Sequence, residues 1–108
     1  LYHVEKITKS IRKITEINLE ACNLINSAVM ELKELKNLNT IFSAVKKINK
    51  LESKSDLVFD KAVADIFENE TDAKNVIKYK EVLSSLENAT DKCKSVARVL
   101  EAIAVKHS

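Results

Sequence analysis

The chain runs for 108 residues without one glycine or proline. Tight turns and sheet edges lean on these two residues, whereas helix interiors exclude both. Leu, Lys, Glu, Ala and Ile abound in their place. The expectation is an all-α fold. The length allows one domain with a modest core of two or three packed elements, too small for an elaborate enzyme cleft.

Apolar spacing divides the chain into three helical seams. Val4, Ile7, Ile11, Ile14, Asn18, Ala21, Ile25, Ala28, Leu32 and Leu35 step by three and four, with Asn18 the one polar member. The segment "KNLNT" at 36–40 interrupts them. Asn37 can take a left-handed position after the first helix, and Asn39 or Thr40 can cap the next. The second seam runs Leu38, Ile41, Val45, Ile48, Glu52, Ser55, Phe59, Ala62 and Ile66. "FENETD" at 67–72 breaks it, with Asn69 as a stop and Thr71 or Asp72 as the following N-cap. The third seam runs Tyr79, Val82, Leu86, Ala89, Cys93, Val96, Leu100 and Ile103, widened by Leu83, Ala97 and Ala104.

Short connections between long helices force antiparallel neighbours. The prediction is therefore an up-down-up bundle of three helices, each roughly 45 Å long, with left-handed crossing. It treats residues 1–108 as a single three-helix bundle domain. Heights follow. The second connection centres near residue 71, which sets residue 54 opposite residue 89. The first connection brings the region of residue 21 to the same level, where Asn18 and Glu20 lie.

Glu52 occupies a place in the second seam where the repeat calls for an apolar side chain, and Asp56 follows four residues later. Glu87 and Asp91 repeat that spacing on the third helix, at the matching height. Carboxylates at i and i+4 share a helix face and repel one another by a few tenths of a kcal/mol. Two such pairs brought together call for a proton or a cation between them. Hard or borderline divalent metals take oxygen ligands in this way. At about 100° per residue, Glu52 lies inside its seam, Asp56 on its shoulder, Glu87 on the flank of the third seam and Asp91 further out. That placement favours a site in the groove between the second and third helices over a closed core site. The alternative is that Glu87 and Asp91 are exposed acids paired with Lys94 and Arg98.

The formal charge is +2, from 18 basic and 16 acidic residues. No bulk field points to nucleic acid. The clusters Lys6, Lys9, Arg12, Lys13 and Lys46, Lys47, Lys50 read as solvated helix faces. Cys22 and Cys93 make no disulfide framework, and both are expected as small buried hydrophobes in a reducing compartment. No apolar run approaches the ~20 residues of a membrane span, and no signal peptide is evident. Leu1 opens in mid-pattern without Met, which suggests a piece of a longer protein.

The stretch from "INKLESKSDLVFDKAVADIFENETD" through "IKYKEVLSSLE", "ATDKC" and the terminal "VKHS" resembles the C-terminal half of a PhoU-like protein. The likeness is to the small cytoplasmic sort that accompanies low-affinity (Pit-type) inorganic phosphate transporters, and it covers residues 45–107. It implies two three-helix bundles in tandem, of which this chain is the second. It also implies surface metal ions held by E/D-x-x-x-D motifs, here Glu52, Asp56, Glu87 and Asp91, with a divalent or iron-type ion as cofactor. Relatives often carry a further acid after the "TDKC" position, where this chain has Lys94 and Ser95. The resemblance implies a non-enzymatic, cytoplasmic regulator or accessory protein that docks on a phosphate transporter or signalling partner. It would reach the membrane only through that partner and bind no nucleic acid. A bundle without its tandem partner exposes apolar surface, so a homo-oligomer is expected.

Two other classes are weighed. A carboxylate-bridged metalloenzyme would draw on paired acids, but di-iron bundles also use Glu-x-x-His. His3 and His107 are set at opposite ends of parallel helices, about 45 Å apart. A plain structural or oligomerising bundle would use Glu52 and Ser55 only to fix register.

Overall fold

The computed structural model describes residues 2–34 and 37–108, with the side chains of Tyr2 and His3 left aside. Helix α1 spans Tyr2–Glu34, α2 spans Leu38–Asn69 and α3 spans Ala73–Lys106. Leu1, Lys36 and Leu35 (the last member of the first seam) lie outside the described residues, as does the His3 side chain. All three helices pack on one another. The molecule measures 54 × 18 × 16 Å, the shape of a single elongated bundle.

The contacts fix the directions. Between α2 and α3, Ser55 meets Glu87 while the earlier Glu52 meets the later Lys94, an antiparallel order. Between α1 and α3, Asn18 meets Leu86 while the later Cys22 meets the later Cys93, a parallel order. The chain is the up-down-up, all-α three-helix bundle that the seams predict.

The helix ends agree in part. Helix α2 stops at Asn69, where Glu70 turns extended (φ −84°, ψ 126°) and donates its N–H to Ile66 O at 2.9 Å. Asp72 caps α3, its Oδ1 accepting from Lys74 N at 2.9 Å. At the other turn the expectation fails. Asn37 is not left-handed but sits at φ −136°, ψ 86° and is itself the N-cap of α2. Asn39 and Thr40 already lie inside the helix, and Thr40 N donates to Asn37 O at 3.2 Å. That backbone bond belongs to the first turn of α2, and φ at Asn37 is negative.

The core has two apolar clusters. One holds Ala21 and Ala28 of α1, Ile41, Val45 and Ile48 of α2, and Ala97, Leu100 and Ala104 of α3. The other holds Ile7 and Ile14, Ala62 and Ile66, and Leu83. In each helix the inward residues between the clusters include polar ones: Asn18; Glu52 and Ser55; Glu87 and Thr90.

The second seam buries as its repeat predicts, with Phe59 and Leu38 half-buried at its edges. The first gains Ile17, which its repeat omits, and loses Val4 to solvent. The third is rotated part of the way toward its widening members Leu83, Ala97 and Ala104, while Cys93 and Leu100 of the seam stay buried. Leu83, Glu87, Thr90, Ala97, Leu100 and Ala104 turn inward, whereas Val82 (39% exposed), Ala89 and Val96 (42% exposed) turn out. The neighbours explain the choice. Ala97 and Ala104 share one cluster with Ala21 and Ala28, so α3 approaches closely with its smallest side chains rather than its valines. The same rotation brings Glu87 and Thr90 to Asn18 and Ser55, which a valine face would leave unpaired.

Candidate metal centre

The polar belt at mid-height is built from one helix face each of α1, α2 and α3. Ser55 Oγ, fully buried, donates to Glu87 Oε2 at 2.8 Å and lies 3.4 Å from Thr90 Oγ1. Thr90 Oγ1, also fully buried, donates to Asn18 Oδ1 and lies 3.3 Å from Leu86 O. Asn18 Nδ2 donates to Leu86 O at 3.3 Å. The belt thus ties α1 to α3 and α3 to α2 through groups that are satisfied only when all three helices are in place.

On its α2–α3 side the belt opens into four carboxylates. Glu52, Asp56, Glu87 and Asp91 each offer an oxygen within 4.8 Å of the others. Glu52 and Glu87 are buried, Asp56 is half-buried and Asp91 is exposed. The two glutamates therefore form the inner edge of the group and Asp91 its outer one. This corrects the expected position of Glu87, which faces the core rather than the flank because α3 is rotated. The height match and the i, i+4 spacing meet as predicted. Glu20, expected at the same level, is exposed and takes no part in the group.

Burial and crowding disfavour charge on the inner pair. The Glu87 carboxyl is pushed up to about 7, first by burial and then by the Asp56 carboxyl, with Asp91 adding to it and the Ser55 hydrogen bond opposing. Burial also raises Glu52, the Asp56 carboxyl adds to the effect, and Lys94 counters it. Lys94 Nζ stands 3.3 Å from Glu52 Oε2. Glu87 Oε1 is buried without a hydrogen-bond donor.

These observations test the fit to a metal. The donor set is all carboxylate, with no His or Cys in the group, which suits a hard or borderline divalent ion. Glu87 Oε1 is an inner oxygen that no protein donor satisfies, and a cation would satisfy it. The opposing feature is the Lys94 ammonium on the Glu52 side. Lys94 binds Glu52, whereas the alternative pairing set it against Glu87 and Asp91.

The seams already hold Asn18 and Ser55, but they give no sign of Thr90 or of the cysteine contact. Cys22 is exposed, not buried, and its Sγ lies 4.0 Å from that of buried Cys93. Burial, followed by the Cys22 thiol, pushes the Cys93 thiol up to about 11. The signal available was height, since both cysteines fall at the level of residues 21 and 89. His107 follows the last turn of α3, exposed and outside the carboxylate group. Among the described residues, no helix is long and apolar enough to cross a membrane.

Comparison with known proteins gives a curated relative that matches nearly the whole chain. The chain is similar to the UPF0111 protein YkaA of Bacillus subtilis (strain 168), 32% identical over 106 residues. The match takes in 98% of this chain and 48% of that protein, so the chain spans about half the length of the curated relative it matches. No family model matches the chain, and no solved structure matches it.

Proposed function

We propose that this bundle is a PhoU-like regulatory or accessory module of inorganic phosphate transport that acts by binding, with a divalent cation held by Glu52, Asp56, Glu87 and Asp91. The observation that carries the metal reading is the convergence of four carboxylates around a buried glutamate oxygen that lacks a donor. The resemblance along residues 45–107 carries the transport reading, and the similarity to a relative about twice as long supports a two-bundle parent. The four side chains would supply anionic oxygens from two helices, clamping α2 to α3. A bound ion would present positive charge at the groove, where a phosphate group or an acidic surface of a cytoplasmic partner could meet it. The module is read as non-catalytic, as the resemblance along residues 45–107 implies. The outward valines of α3 give a second copy or the transporter an apolar face to cover.

A second reading rests on Lys94. Its ammonium already neutralises Glu52, so the site can stand as a metal-free docking surface with a tethered cation. Titration with Mn2+ and Zn2+ by calorimetry separates the two. The metal reading expects one ion per chain, binding lost in the Glu52→Ala, Glu87→Ala double variant, and affinity raised about 10-fold in Lys94→Gln as the competing charge goes. No binding by either wild type or Lys94→Gln would sink the metal reading and leave the docking bundle.

A further inference from the structure

The cysteines are a feature that the carboxylate site does not use. Cys22 lies one turn beyond Asn18 on α1, and Cys93 lies one turn beyond Thr90 on α3. The parallel order of these helices brings the two sulfurs to 4.0 Å, across 71 residues of chain. Cys22 is exposed and Cys93 is buried, so reagents in solution meet the pair through Cys22. Ala21 and Ala97 flank the pair and are fully buried, and Ala28 and Ala104 repeat them two turns on. Small side chains at the contact allow the backbones a close approach, which a disulfide needs: its Cα atoms stand about 4.4–6.8 Å apart and its sulfurs about 2.05 Å. Closing the remaining gap of about 2 Å takes χ1 adjustment and a slight approach of the helices.

We propose that Cys22 and Cys93 are a reversible thiol–disulfide pair that locks α1 to α3 beside the polar belt, with low-molecular-weight disulfides as the oxidant. The Cys22 thiolate attacks one sulfur of the small disulfide RSSR. This forms a mixed disulfide on Cys22 and releases RS⁻. Cys93 then gives up its proton to water and attacks Cys22 Sγ, and the second RS⁻ leaves. The two protein thiols have lost two electrons and two protons, and RSSR has become two RSH. Burial of Cys93 lowers its thiolate fraction and so slows the second step. The product ties α1 to α3 one turn from the Asn18–Thr90 contact, so the redox poise of the thiol pool sets how rigidly that wall of the belt is held. The inference is independent of whether a metal binds.

The test is oxidation of the whole chain by oxidised glutathione over a range of poise, read by intact mass and peptide mapping. The expected product is a single chain two hydrogens lighter, with the Cys22 and Cys93 peptides joined, Tm raised by about 5 °C or more, and full reversal by dithiothreitol. Cys93→Ala should stop at one glutathione on Cys22, and Cys22→Ala should take up none. Three outcomes each overturn the proposal: wild type halting at the glutathione adduct, linking into dimers through Cys22, or failing to react. The Cys22→Ala substitution lies at an exposed position, so its result does not depend on the core tolerating a change.

Discussion

Helices α2 and α3 each give two carboxylates, four residues apart, to the same cluster, but they bury them by different logic. In α2 the inner acid takes a place that the apolar repeat had already assigned to the core, between Ile48 and Ala62. The repeat and the packing agree, and Glu52 is a polar substitution within a conforming face. In α3 the packing keeps Cys93 and Leu100 of the repeat and its widening members Leu83, Ala97 and Ala104, but sets aside Val82, Ala89 and Val96 and brings in Glu87 and Thr90. The lesson concerns what decides rotation about a helix axis. Where large side chains meet large side chains, the apolar stripe decides. Where the neighbour offers alanines and unpaired polar groups, close approach and hydrogen-bond satisfaction outweigh a few partly exposed valines.

The comparison breaks most visibly at adjacent residues of α3. Leu83 is fully buried, and truncation to alanine should cost about 2–5 kcal/mol. Val82→Ala, at a position that is 39% exposed, should cost less than about 1 kcal/mol. Urea unfolding of the two variants reads the difference. A larger loss for Val82 would mean that the valine face is covered in solution and that the repeat had named the right surface after all.

The same contrast marks what was legible in the sequence. Missing glycine and proline, two polar interruptions and three seams were enough for the topology, because each is a backbone or periodicity signal that needs no partner to be read. Heights followed from the turns, and they placed Glu52, Asp56, Glu87 and Asp91 at one level. The direction of Glu87, the role of Thr90 and the Cys22–Cys93 contact were not legible. The first two depend on the rotation of α3, which is set by side chains of α1 that its own periodicity does not report, and the third on the exposed position of Cys22. Asn37 misled because a left-handed conformation is open to asparagine without being required of it, and here the residue is the N-cap of α2 at negative φ.

The two inner glutamates sharpen the comparison through pH. The Glu87 carboxyl has an ordinary value of 4.5 and is raised to about 7 in the fold. Between those values the folded state holds more protons than the unfolded one. The contribution to stability is thus fully present below about 4.5 and lost as pH rises through about 7. A tenfold difference in proton affinity is worth about 1.4 kcal/mol, so the loss is on the order of 3 kcal/mol over the whole window from about 4.5 to about 7. With chelator present, the urea midpoint should fall from about pH 5.5 to about pH 8, and Glu87→Gln should flatten the fall by fixing an uncharged group. Glu52 is raised in the same direction, but Lys94 opposes the rise, so Glu52→Gln should flatten it less. Equal flattening by both variants would mean that α2 and α3 hold their acids in equivalent surroundings, and the distinction drawn from Lys94 would fall.

The smallest effect concerns how the two helices begin, and here the ranking reverses. The well-patterned α2 starts at Asn37, whose side chain makes no capping bond. The rotated α3 starts at Asp72, whose carboxylate accepts from Lys74 N and stands at the positive end of the helix dipole. A helix whose apolar stripe is partly spent on solvent gains more from a start signal, since that signal does not depend on which face is buried. Asp72→Ala should therefore cost about 1 kcal/mol, and Asn37→Ala no more than a few tenths. Asp72→Asn, which keeps the acceptor and removes the charge, should fall between them and lose its difference from wild type in high salt. If Asn37→Ala proves as costly as Asp72→Ala, local capping does not distinguish the helices. The weaker pattern of α3 would then be offset only by its contacts with α1 and α2, which the Leu83 and Val82 variants already measure.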